Sequence, residues 1–136
     1  MPKQIFVNLP VRDLKKATAF YLAIGATQNP QFSDDTASCM VFSDTIFVML
    51  LTHAKWGTFT KKPIVDSRRE SEVMLALSAD DKQAVDKITD AAGANGGKAD
   101  VNPKQDFGFM YGRSFEDVDG HIWECMFVDM SQMPKS

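Results

Sequence analysis

Residues 4–26, QIFVNLPVRDLKKATAFYLAIGA, spell out one strand followed by one helix. Gln4 to Val11 is dense in apolar and β-branched side chains, the composition of a strand. Asp13 stands where a helix start favours a short carboxylate. Leu14, Ala17, Phe20, Tyr21 and Ile24 then recur at helical spacing, the apolar stripe of an amphipathic helix, and Gly25 falls at the position after its end. Residues 72–94, EVMLALSADDKQAVDKITDAAGA, repeat the pattern: a strand, Asp81 as helix start, Ala84, Val85, Ile88, Ala91 and Ala92 on the apolar side, and Gly93 as the expected stop. An offset of 68 residues relates Asp13 to Asp81, Gly25 to Gly93, and the apolar positions Val7, Leu9 and Phe20 to Leu75, Leu77 and Ile88. That offset is half of the 136-residue chain, so a duplication accounts for the whole of it.

Working outward, each helix is followed by three more apolar stretches. In the first copy they fall near 26–31, 37–43 and 46–52, with a Ser43-Asp44 turn between the last two. In the second they fall near 97–101, 108–115 and 121–129, with Asp119-Gly120 as the turn. The organisation predicted is one domain over 1–136: module one over about 4–52, a linker over 53–71, and module two over about 72–129. A strand–helix–three-strand unit covers only one face of its sheet. Two such units can bury their bare faces together, which predicts an α+β fold of paired βαβββ modules, a half-open and mostly antiparallel barrel around a cavity.

Composition narrows the function classes. A formal net charge of −3 argues against a nucleic-acid partner, because phosphate binding needs a basic surface. The longest apolar run, Ile46 to Leu51, is too short to cross a bilayer, so no membrane partner is expected. The opening MPKQIFVNLPV lacks the pattern of a secretory signal, and a cytoplasmic location is the expectation. Cys39 and Cys125 then read as buried free thiols.

Two motifs add a resemblance. NLPVRDLKKATAFYLAIGA (Asn8 to Ala26) is similar to the strand–"V-x-D-L"–helix–"F-Y"–"G" opening of the vicinal-oxygen-chelate (glyoxalase/bleomycin-resistance/dioxygenase) superfamily, and FEDVDGHIWECMF (Phe115 to Phe127) resembles its closing "D-x-D-G-x-x-x-E" hairpin. The pattern is nearest the "predicted lactoylglutathione lyase" type. The resemblance implies a homodimer and, in metal-binding members, one His, Gln or Glu from each of four strands around a divalent ion. Carried over residue by residue, those positions are Phe6, Met74, Glu124 and, by matching Leu50-Leu51-Thr52 to "E-L-T", Leu50, with Met49 as the alternative register. Phe and Leu have no donor and a thioether is a soft one, so no metal and no other cofactor is expected; a divalent metal is disfavoured.

The leading expectation is therefore a metal-free protein that binds a small apolar or aromatic ligand in a pocket lined by Phe6, Asn8, Leu50, Met74, Tyr111, Arg113 and Glu124. Glu124 is the candidate catalytic acid or base, since it shares a strand face with Ile122, Met126 and Val128. The alternative is a structural carboxylate satisfied by Asn8, Tyr111, Arg113 or water. A second function class is a metal-dependent glyoxalase-like isomerase or lyase, or a dioxygenase, with an atypical site. A third is an interaction module whose pocket has packed shut. His121 reads as a turn residue, because side chains three apart in a strand face opposite ways and cannot join Glu124 on one ion. His53 reads as a loop residue or a pocket rim. The linker, with Lys55, Lys61, Lys62, Arg68 and Arg69 among Trp56 and Phe59, reads as a solvated connector or a flap over an anionic ligand.

Overall fold

A computed structural model describes residues 2–132; Met1 and residues 133–136 of the expected 1–136 domain lie outside the described residues. The chain divides into two compact units, one up to Asp66 and one from Ser67 on, and the division falls inside the expected linker.

The first unit runs β1 (Ile5–Val11), α1 (Leu14–Ala23), β2 (Thr27–Asn29), β3 (Ala37–Val41), β4 (Ile46–Thr52) and a short α2 (His53–Trp56). Its sheet order is β1-β4-β3-β2, with β1 and β4 parallel and the other pairs antiparallel. Asp13 caps α1 by accepting a hydrogen bond from the Lys16 amide at 3.1 Å. At the other end Gly25, at φ +113°, takes the left-handed conformation that stops the helix. Ala17, Phe20 and Tyr21 of α1 are buried, as are Leu9, Met40, Val48 and Leu50. These form the unit's core, and each fully buried Leu, Val, Met or Phe among them contributes roughly 1.5–3 kcal/mol of transfer free energy.

The second unit runs β5 (Met74–Ser78), α3 (Lys82–Ala94), β6 (Lys98–Ala99), β7 (Gln105–Asp106), β8 (Met110–Glu116) and β9 (Ile122–Val128). The order is β5-β9-β8-β6, with β7 also on β8, and β5 and β9 are the parallel pair. Asp81 caps α3 through the Ala84 amide at 2.7 Å. This is the α+β, twice-repeated βαβββ architecture expected from the sequence, with one added two-residue strand, β7.

Gly93 departs from its expected role. It lies inside α3, which continues to Ala94, and the positive φ that follows belongs to Gly96, at +96°. The Asn95 side chain donates to the Ala91 carbonyl at 2.7 Å, capping the longer helix. A Cβ on Gly93 would lie 3.2 Å from the Ala99 Cβ, so this glycine allows β6 to approach the helix closely. The later strands are related by a different offset. Met49 pairs across from Cys39 as Glu124 does from Ser114, an offset of 75 residues.

The Asp119-Gly120 turn forms as expected. Asp117 Oδ1 accepts from the amides of Asp119 and His121, both at 2.9 Å, and Gly120 takes φ +94°. The linker lies directly on this turn: Ser67 donates its hydroxyl to the Asp119 carbonyl at 2.8 Å. Cys39 and Cys125 are buried and free, and burial pushes the Cys125 thiol up to about 11. Among the described residues no helix is long and apolar enough to cross a membrane.

Candidate functional site

Strand alternation decides which side chains α1 and α3 cover and which they leave open. In the first unit Leu50 pairs with Leu9 and Ser38, sits on the side packed by α1, and is 0% exposed. Met49 pairs with Asn8 and Cys39 on the opposite side, the side of Phe6 and Phe47. The expected ligand-strand residue is therefore corrected from Leu50 to Met49. A slip of one residue moves a side chain to the other face of a sheet, and "E-L-T" was too short a match to fix the register. The open face of this unit carries Phe6, which is 52% exposed and stacked on Phe47 with ring centres 4.6 Å apart, together with the exposed Asn8 and half-buried Met49.

In the second unit Glu124 pairs with Ala76 and Ser114, and Met74 with Ile122. The open face thus holds Met74, Ala76, Gly112, Ser114, Glu116, Ile122, Glu124 and Met126, as the two-residue period on β9 predicts for Glu124. A cleft of about 380 Å³ opens here, lined by Met74, Asn102, Pro103, Gln105, Gly112, Arg113, Ser114 and Glu124. Its wall is the segment before β7. The Ser114 hydroxyl accepts from the Asn102 amide at 2.8 Å and donates to the Asn102 carbonyl at 3.3 Å, pinning that segment to β8. The Asn102 side-chain amide lies 3.9 Å from the Met74 sulfur. Glu124 is half-buried and makes no hydrogen bond or ion pair to a described residue.

Tyr111 and Arg113 do not meet Glu124 as expected. Both side chains point to the α3 side of β8, because they alternate with Gly112 and Ser114. The Arg113 guanidinium, 9% exposed, donates to Asp86 at 2.9 Å, Asp90 at 3.0 Å and Asp100 at 2.8 Å. Asp100 reaches it from a left-handed backbone position, φ +56°. Tyr111 donates its hydroxyl to the same Asp86 oxygen at 2.6 Å. This bond, with Arg113 beside it, holds the Asp86 carboxyl below its ordinary value, and Arg113 does the same to Asp100. The Tyr111 phenol is pushed up, first by donating to Asp86, and the Arg113 guanidinium is pushed further up by its aspartates. Arg113 therefore lines the cleft with its guanidinium committed to the three aspartates. His121 opens β9 beside the turn, and His53 is exposed at the start of α2. Lys55 rests over the Phe59 ring at 5.5 Å, and Asp66 pairs with Arg12 at 2.8 Å. Asn102, Gln105 and Ser114 are site residues that sequence reasoning missed. The alternation of 110, 112 and 114 against 111, 113 and 115 was the available signal for Ser114; Asn102 and Gln105 lie in a segment with no periodicity to read.

The fold family implies a divalent metal, so the donor set is the test. By the corrected register the four strand positions are Phe6, Met49, Met74 and Glu124: one carboxylate, two thioethers and a phenyl ring. Such a set does not fit a hard or borderline cation. Among the described residues no three His, Cys, Asp or Glu side chains are grouped to hold an ion.

The pattern of modules and the closing hairpin define the class, and comparison agrees. The profile of the Glyoxalase/Bleomycin resistance protein/Dioxygenase superfamily matches residues 3–125, and the chain belongs to that superfamily. Among solved structures it is similar to hypothetical protein SA1046 from S. aureus (26% identity, TM-score 0.76, 93% of this chain and 95% of that one). It is also similar to a family enzyme from Burkholderia phytofirmans PsJN (17% identity, TM-score 0.73, 93% and 99%) and to the fosfomycin resistance protein FosX from Mesorhizobium loti (16%, TM-score 0.68, 97% and 97%). The last two likenesses are of fold alone. Among curated proteins none matches the sequence.

Proposed function

We propose that this chain is a metal-independent small-molecule-binding member of its superfamily, with the open face of the second unit as ligand surface and Glu124 as polar anchor. The observation that carries the reading is the state of Glu124. It is half-buried in a cleft of about 380 Å³, and no described residue bonds to it. A carboxylate partly withdrawn from water without a protein partner is costly, and a ligand that supplies the partner recovers that cost. Met74 and Pro103 offer an adaptable apolar wall for an apolar or aromatic ligand body. Binding serves sequestration or a metal-independent proton transfer by Glu124. The superfamily resemblance supports a cytoplasmic homodimer, which sedimentation of the purified protein checks.

The test is direct. Protein purified from cells is denatured, its extract analysed by mass spectrometry, and the refolded protein screened against aromatic compounds by thermal shift. The reading predicts a released small molecule or a class of stabilising compounds whose effect falls on Glu124→Gln. Finding no released molecule and no stabilising compound would remove the reading.

A further inference from the structure

We propose that the Glu124 cleft selects ligands carrying a protonated amine, or another compact cation, beside an apolar or aromatic body. The inference rests on the reading above and deepens it by naming the ligand class.

The argument is one of charge placement. Of the residues lining the cleft, only Arg113 and Glu124 are charged. Arg113 leaves by the other face of β8, where three aspartates within 3.0 Å hold its guanidinium. The nearby lysines stay on that face too: Lys82 and Lys104 lie over the Tyr111 ring at 6.0 and 5.7 Å. On the α3 face, Arg113, Lys82 and Lys104 balance Asp86, Asp90 and Asp100. On the open face the register also sets Glu116 beside Lys98, and of the residues lining the cleft Glu124 is the one whose charged group faces it. Arg113, the one cation lining the cleft, is held by its three aspartates, so no cleft-lining residue is placed to neutralise an anionic ligand.

The remaining polar groups point the same way. The Ser114 hydroxyl is committed to the Asn102 backbone in both directions. The Asn102 amide nitrogen rests near the Met74 sulfur, which leaves the amide oxygen as a second acceptor at the cleft. Two acceptors beside one thioether suit a donor-rich cationic head with an apolar body. An anion such as a phosphonate or carboxylate would meet a carboxylate with no lysine or arginine to offset it.

Three probes on one skeleton decide the matter: 2-naphthylmethylamine, 2-naphthylmethanol and 2-naphthoate, titrated calorimetrically into the full-length protein at pH 7.5. The amine is expected to bind about tenfold tighter than the alcohol, and the carboxylate weakest of the three. Glu124→Gln should bring the affinities of amine and alcohol together. The order of the probes on the unaltered protein stands as a test independent of that variant's folding. Equal binding of amine and alcohol, a preferred carboxylate, or an amine preference that survives Glu124→Gln would overturn this inference and leave the ligand surface standing. No binding by any probe would overturn both.

Discussion

The two units build the same framework and spend it differently. Related by the 75-residue offset, Met49 answers to Glu124, Cys39 to Ser114, and Ser38 to Arg113. On the open side the first unit presents stacked phenyl rings and a methionine, the second a methionine and a carboxylate in a cleft. On the helix side the first is an apolar core around Leu50, while the second places a nearly buried arginine among three aspartates. A duplicated backbone thus fixes where side chains stand without fixing their chemistry: at matching positions the first unit has Met49 and the second Glu124.

The sharpest test of the face assignment is the neighbouring pair in β4. Leu50→Ala should destabilise the protein by about 2–5 kcal/mol in urea unfolding, because it leaves a cavity under α1. Met49→Ala, on the open face, should cost under about 1 kcal/mol. Equal costs would break the comparison. Gly120→Ala comes next, at roughly 2–3 kcal/mol, since its Cβ would lie 2.8 Å from Arg68 backbone atoms at a positive φ. Gly25→Ala, with positive φ but nothing within 4 Å, should cost only about 1 kcal/mol. Arg113→Met should cost about 2 kcal/mol, less than a fully buried pair because its aspartates are 41–68% exposed.

The smallest effect concerns acid. Asp86 and Asp100 have folded-state values depressed below the ordinary 3.8, so they stabilise the fold above that pH. The contribution is lost as pH falls below about 4 and through the lower folded values. Urea midpoints measured across pH 2 to 6 should fall toward the acid end, and less steeply in Arg113→Met.

What could be read from the sequence followed from local chemistry. Asp13 and Asp81 as caps, Gly25 as a stop and Asp119-Gly120 as a turn each act within a few residues, and each formed. The errors came from tertiary facts. Gly93 carries the same residue type as Gly25 yet exists to admit Ala99, a contact no local window shows. The sequence leaves Leu50 and Met49 as alternatives because consecutive apolar residues conceal the register until a partner strand is known, and the strand pairing selects Met49. Tyr111 and Arg113, expected in the pocket or as partners of Glu124, are drawn by strand alternation and the aspartate side chains to the α3 side.

The set Phe6, Met49, Met74 and Glu124 does not fit a divalent ion, and metal loading tests this directly. Protein prepared without any metal-affinity step, incubated with Mn, Fe, Ni and Zn and then dialysed, should retain less than about a tenth of an equivalent of each by elemental analysis, with no difference in Glu124→Gln. One equivalent of any of them, lost on Glu124→Gln, would contradict the account.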